Sequence, residues 1–399
     1  MNYWRIMIFK DFIRKHVASG SRFFIFAMIF VSLSCVESYS PKLDVGEVDI
    51  LVVDGFLDTS DSTVVVKLSK ANVLGGDTAL IKVEHAVITV ESNEGSSYDV
   101  VEQSPGIYHA TEIPVDPLKQ YRVHVSVNNA EYESDFEGIK KTPEIDSITW
   151  KPGDGETRIY VNAHDATNST HYYRWDYTET YEYNAGVFSA YKFEGTNVVA
   201  RDYNDYIFTC WKTTESSSIH INSTVQLQSD VVRDFNLIRL PVGTIKLSQR
   251  YSVLVKQRAL SESEYDFLDQ LDKTTESIGS LFDPQPSQVP GNIHSLTAGA
   301  NALGYFSAGN STSKRFFVAF YELPEALRKV NEPYCGVDTI CVRPRAFLCV
   351  KDVGELDGTE LIGAGIYDGG SLIGYTLSYP FCADCRTQGG VLQKPSFWP

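Results

Sequence analysis

Cysteine is the residue type in this chain with the most chemistry to offer. Cys382 and Cys385 form a CxxC, with Cys335, Cys341 and Cys349 upstream and Cys210 farther back. A CxxC can supply half of a tetrahedral zinc site, but zinc needs two more thiolates or imidazoles. The sequence holds no second CxxC, and no histidine follows His294. The other use of such cysteines is oxidised pairing. Cys335, Cys341, Cys349, Cys382 and Cys385 are read as structural disulfide partners, with Cys210 completing an even set whose connectivity stays open. A link from Cys382 or Cys385 back to the 335–349 stretch is expected, because a long loop gains more from closure than a CxxC ring does. No metal and no cofactor is expected.

Catalytic signatures are missing. There is no HExxH, no GxSxG, no phosphate-binding GxxxxGK[ST] and no GxGxxG opening a helix. His164 and His171 flank Asp165, a weak metal idea, and solvated loop positions are the simpler reading. Carboxylates are plentiful, yet an acid pair for hydrolysis cannot be picked out without geometry.

Aromatic residues suggest binding instead. Tyr173, Trp175 and Tyr177 are spaced by two, and Tyr181 and Tyr183 repeat the spacing. On a strand such residues share one face. Tyrosine and tryptophan are amphipathic and enriched at interfaces, so the stripe is a candidate platform for a glycan, a peptide or a protein partner. A sandwich core with its hydroxyls at the rim is the ordinary use of the same pattern.

The elements that must carry these residues read mainly as strands. Val64, Val66 and Leu68 alternate with polar neighbours, as do Tyr121, Val123, Val125 and Val127. Asn93-Glu94-Gly95 and Asn128-Asn129 mark hairpin turns, and Asp54-Gly55 carries a turn signal. About seven strands fall in residues 47–142, which predicts an antiparallel β-sandwich of immunoglobulin-like or transthyretin-like outline. Pro143 marks the boundary to a larger β-rich domain, 143–399. One helix is expected there, over 261–281, with Ser261 and Glu264 as a capping box.

The start of the chain addresses it. Five basic residues and one acid precede an apolar run, Phe23 to Leu33. Eleven residues are too few to span a bilayer but fit a signal-peptide core. Ser32-Leu33-Ser34-Cys35 follows and resembles a bacterial lipoprotein signal, although Leu33 stands two places before the cysteine where three is commoner. The resemblance implies cleavage after residue 34 and acylation of Cys35, followed by a lipidated tether over 35–46. Removing residues 1–34 leaves 30 basic and 50 acidic residues of the original 35 and 51, a formal charge of −20. Phosphate recognition needs basic patches, so nucleic acid is excluded as a partner.

Phe282-Asp283-Pro284-Gln285-Pro286, Gly291-Asn292-Ile293 and Gly304-Tyr305-Phe306 form one ordered set of motifs. Cys382-Ala383-Asp384-Cys385-Arg386, Gly389-Gly390 and Lys394-Pro395-Ser396-Phe397-Trp398 form another, and Leu51-Val52-Val53-Asp54-Gly55 follows the lipobox. Together they resemble a Bacteroidota lipoprotein family known as a domain of unknown function, DUF4249. The resemblance implies an outer-membrane lipoprotein encoded beside TonB-dependent receptors, hence a non-enzymatic accessory or ligand-capture partner of such a barrel. It supplies no catalytic residues. The other class left open is a surface carbohydrate-binding or hydrolytic protein with an unrecognised carboxylate site.

Overall fold

A computed structural model describes residues 50–70, 81–194, 197–276, 291–330, 335–336, 338–341, 351–352, 361–368 and 370–399. The signal segment, Cys35, the tether, Cys349 and the DPQP motif lie outside these residues. The described residues are mainly β, with several antiparallel sheets and one substantial helix among them.

The first strands are β1 (Ile50–Asp58), β2 (Thr63–Lys70), β3 (Ile81–Lys82), β4 (Val87–Ser92), β5 (Ser97–Ser104), β6 (Ile107–Ala110), β7 (Gln120–Val127), β8 (Ala130–Ser134) and β9 (Glu137–Gly138). The second set begins with β10 (Ile145–Pro152), β11 (Glu156–His164), β12 (Tyr172–Asn184), β13 (Tyr191–Glu194), β14 (Asn197–Ala200), β15 (Thr209–Glu215) and β16 (Ile221–Ser223). It continues through β17 (Val231–Pro241), β18 (Arg250–Ala259), helix α1 (Glu262–Glu276), β19 (Ile293–Ser295), β20 (Asn301–Gly309) and β21 (Ser311–Ala319). Last come β22 (Asp338–Cys341), β23 (Lys351–Asp352), β24 (Leu361–Asp368), β25 (Ser371–Ser378) and the one-turn helix α2 (Pro380–Ala383).

Alternation drives the first sheet. Tyr121, Val123, Val125 and Val127 are buried along β7, while Arg122, His124 and Ser126 are not. Val64, Val66 and Leu68 do the same on β2. Their apolar faces meet in one core with Leu57, Val90, Tyr108 and Phe306. The hydrogen-bonded order is β19-β8-β7-β4-β5-β6-β2-β1-β20. Its two ends, β19 and β20, are neighbours in sequence, so the sheet curls round into a sandwich. The β7–β8 turn holds Asn128 and Asn129, both at positive φ (51° and 62°). Two left-handed residues match the twist of a two-residue hairpin, and asparagine tolerates that conformation.

Two sequence expectations change here. Asp54-Gly55 makes no turn, because β1 runs straight through it. Gly55 is there for space: a Cβ would lie 2.7 Å from the Phe306 ring. The first sandwich also draws on residues far beyond 142. β20 pairs with β1 in parallel, from Ile50↔Asn301 to Asp58↔Gly309, and β19 pairs with β8. Residues 49–399 form one compact unit.

The second sandwich packs β10-β11-β17 against β15-β12-β18-β21, with β16 added to β12. Ile159, Val161, Trp175, Leu240, Val253 and Val255 fill the space between. A smaller sheet, β23-β22-β25-β24, and the β13–β14 hairpin flank it. Helix α1 is shorter than the expected 261–281, and residues 277–281 lie outside the described residues. Ser261 Oγ accepts from the Glu264 backbone N–H at 3.1 Å, which satisfies one orphan donor of the first turn. Phe267 and Leu268 seat the helix on Tyr305 and Leu260.

Candidate binding site

The aromatic stripe of β12 does not reach the surface. Tyr173, Trp175, Tyr181 and Tyr183 are buried, and Tyr177 is half-buried against the same core. The polar atoms of Tyr173, Trp175 and Tyr183 are satisfied internally. Tyr173 Oη donates to Asp230 at 2.6 Å, Trp175 Nε1 to Gln257 at 2.8 Å and Tyr183 Oη to the Cys385 carbonyl at 2.7 Å. The Trp175 ring lies 4.4 Å from that of Phe235. A period of two places residues on one face but does not say which face turns inward, and here the stripe turns inward. As surface anchors, Tyr173, Trp175, Tyr177, Tyr181 and Tyr183 are therefore corrected to core residues.

Two disulfides hold the last turns, one of them to the second sandwich. Cys335 joins Cys382, as the long-loop argument expects. Cys385 joins Cys210, a partner 175 residues away that lies on the buried face of β15. The side chain of Cys341 is outside the described residues. Pro380 opens α2 at a position where a missing N–H costs nothing. Asp384 caps the following turn by accepting from Arg386 N at 2.9 Å. The Val187 N–H donates to Cys382 O at 2.9 Å and the Cys385 N–H to Ile207 O at 3.0 Å.

These bonds bring three separate loops together, and each carries exposed aromatic rings. Tyr203 is 85 % exposed, and Phe188, Tyr206, Tyr379 and Phe381 lie between 37 % and 51 %. Phe188 and Tyr206 stand 5.1 Å apart between centroids, and Tyr203 meets Tyr206 edge-on at 6.0 Å. Tyr379 and Phe381 are parallel to within 11°, at 5.9 Å. The rings thus form two exposed clusters on neighbouring loops, and exposed apolar surface of this sort marks binding sites more often than chance.

Paired ions flank the rings. Lys192 Nζ lies 2.7 Å from Asp205 and 3.3 Å from Glu194, and Arg201 reaches Asp205 at 3.6 Å. Arg386 Nη2 lies 2.7 Å from Asp384. The hydrogen bond from Lys192 holds the Asp205 carboxyl below the usual carboxylate range. Burial pushes Asp384 the other way, but the bonds from Arg386 outweigh it and its pKa is also lowered. Arg201 acts on Asp384 through space and Arg386 on Asp205, so the two groups of ions adjoin.

The remaining chemistry is local. Asp165 accepts from the backbone or side chains of Thr167, Ser169 and Thr170, and His164 Nδ1 sits 2.8 Å from Asp146. These two residues and His171 do not converge. Among the described residues no group of three or more His, Cys, Asp or Glu is placed to hold a metal.

A family model described as a domain of unknown function (DUF4249) matches residues 36–315. The chain belongs to that family. No curated protein matches it.

The DUF4249 match begins one residue after Cys35 and ends within β21. The motif residues in it that are described have structural duties. Asn292 Oδ1 accepts from Phe306 N at 2.9 Å, while its Nδ2 donates to Phe306 O at 2.8 Å and to Glu137 at 3.1 Å. Tyr305 Oη donates to the same Glu137 oxygen at 3.0 Å. Gly304 lies at φ 129°, with β1 so close that any side chain would strike Val53 O. Beyond the match, the Phe397 ring lies 3.5 Å under Arg315, and Trp398 Nε1 donates to Glu182 at 2.8 Å.

Phe188 lies in the aromatic stretch that the sequence offers, from Tyr172 to Phe193, but Tyr203, Tyr206, Tyr379 and Phe381 lie outside it. The signal was present: Asp202-Tyr203-Asn204-Asp205 and Tyr379-Pro380-Phe381 set aromatics among turn formers rather than in alternation. Binding residues concentrate on loops that a rigid scaffold positions.

Proposed function

We propose that this DUF4249 protein is a Bacteroidota lipoprotein, anchored to the outer membrane through Cys35, that works as a non-enzymatic accessory or ligand-capture partner of a TonB-dependent receptor. The exposed aromatic patch carries the binding half of this reading. It is aromatic and exposed, and its Tyr379–Phe381 part is braced by two disulfides. The anchor half rests on the basic segment, the short apolar run and Cys35, and a family match that starts at residue 36 agrees with it. Two or more acyl chains give the stable attachment that one chain lacks. The eleven residues from 36 to 46 reach about 35 Å if extended, at roughly 3.3 Å per residue, enough to set the folded part over a barrel mouth.

The test is an antibody pull-down of the full chain from detergent-solubilised envelopes. A TonB-dependent barrel should co-purify, and wild-type protein should incorporate labelled fatty acid where Cys35→Ala does not. Unchanged membrane attachment and labelling in Cys35→Ala removes the anchor. A pull-down with no barrel removes the receptor partner.

A further inference from the structure

We propose that the patch formed by Phe188, Tyr203, Tyr206, Tyr379 and Phe381 binds a neutral saccharide chain. This rests on the ligand-capture reading above and gives the ligand its class. Three features of the patch select that chemistry.

The first is shape. The Tyr379 and Phe381 rings present nearly parallel planes 5.9 Å apart, and Tyr203 stands clear of the surface beside Tyr206. Flat exposed rings complement the flat C–H faces of pyranose units. Tyr203, Tyr206 and Tyr379 add a hydroxyl at the rim of each ring, where a sugar's own hydroxyls would lie.

The second is charge. The ions around the rings already satisfy one another: Lys192 and Arg201 on Asp205, Lys192 also on Glu194, and Arg386 on Asp384. Three cations meet three carboxylates, with Asp202 beside them. Among the described residues around the rings an anionic ligand would find no spare cation, and it would approach a processed chain of formal charge −20. A cationic ligand would find the carboxylates engaged. A neutral polyol needs neither, and planar guanidinium and carboxylate groups can donate to and accept from its vicinal hydroxyls.

The third is rigidity. Cys382 and Cys385 anchor the Tyr379–Phe381 turn to Cys335 and Cys210, and backbone bonds tie it to Val187 and Ile207. The rings need little ordering on binding, so the entropic cost is small.

The experiment uses the detergent-solubilised full chain on an array of neutral oligosaccharides (xylan, mannan, starch and β-glucan fragments) with uronic-acid and sulfated glycans alongside. Hits are measured by titration calorimetry. A neutral glycan should bind, and Tyr203→Ala and Phe381→Ala should each weaken it by about tenfold or more with an unchanged thermal midpoint. Both side chains are exposed, so folding is not at risk. Binding of acidic glycans only, binding unaltered in both variants, or no glycan bound overturns the proposal. If no glycan binds but both variants lose the co-purifying barrel, the patch is a protein contact and the accessory reading stands. If a neutral glycan binds but no barrel co-purifies, the saccharide site stands and the receptor partner falls.

Discussion

Asp58 shows how a single side chain ties distant parts of this molecule together. It sits at the end of β1, 2 % exposed, and its carboxylate lies 2.7 Å from Lys256 Nζ on β18. It also accepts from Ser311 Oγ at 2.5 Å, Ser311 N at 3.2 Å and Ser60 N at 3.0 Å. Burial raises its pKa, but the bonds from Lys256, Ser311 and Ser60 win, and the group titrates below 3.8. A carboxyl depressed by folding stabilises the protein above its unfolded pKa, and that contribution is lost as the pH falls through the folded value. Breaking a fully buried pair costs about 3–5 kcal/mol, but Lys256, 40 % exposed, can return to water. Asp58→Asn is therefore expected to cost about 2 kcal/mol at pH 7. In urea melts the gap between variant and parent should close as the pH drops below 3.8. A gap that is the same at pH 7 and pH 3 would show that the charge of Asp58 contributes nothing.

At the scale of elements, most of what the sequence states is local, and that part was legible. Alternation on β2 and β7 and the Asn128-Asn129 turn follow from period and φ preference alone. Helix α1 shows where local reading stops. Ser261 caps it as the spacing implies, but Glu264 does not return to the Ser261 N–H. Its carboxylate is buried and accepts from Ser307 Oγ at 3.0 Å. Burial raises its pKa against the opposing pull of Arg258 and Arg174. No window of sequence contains β20, so nothing local could announce that contact. The same holds for Cys210–Cys385 and for the inward turn of the β12 stripe. Since only half the capping box forms, Ser261→Ala should cost about 1 kcal/mol, the usual worth of one N-cap oxygen. Hydrogen exchange should quicken in the first turn of α1 and stay unchanged in β7. No change in either would show that the cap is not holding the turn.

At the scale of the whole molecule, two of the crossings between the sandwiches leave little slack. β20 belongs to the first and β21 to the second, with Asn310 alone between them. A second crossing runs through Thr142 and Pro143. Asn310 binds it on both sides: Thr142 N donates to Asn310 Oδ1 at 2.8 Å, Thr142 Oγ1 to Asn310 O at 2.5 Å, and Asn310 N to Lys140 O at 3.0 Å. Thr142 Oγ1 in turn accepts from Ala259 N at 2.9 Å, at the end of β18. Pro143 O accepts from Gln257 Nε2 at 2.8 Å and from Thr312 Oγ1 at 3.0 Å. A proline at position 143 reads in sequence as a boundary between domains. Here its carbonyl is held by β18 and β21 of the second sandwich and its neighbour's hydroxyl by β18 and Asn310, while Lys140 N donates to Ala308 O on β20 of the first, and the junction is a clamp. Asn310→Ala removes the side-chain acceptor for Thr142 N and leaves that N–H, on a buried residue, without a partner. The expected cost is about 1–3 kcal/mol. Amides 140–145 should exchange faster while the β12–β18 core keeps its protection, and small-angle scattering should report a broader distribution of overall dimensions. Uniform acceleration across both sandwiches, with no broadening, would mean that Asn310 supports general stability and that the clamp lies elsewhere.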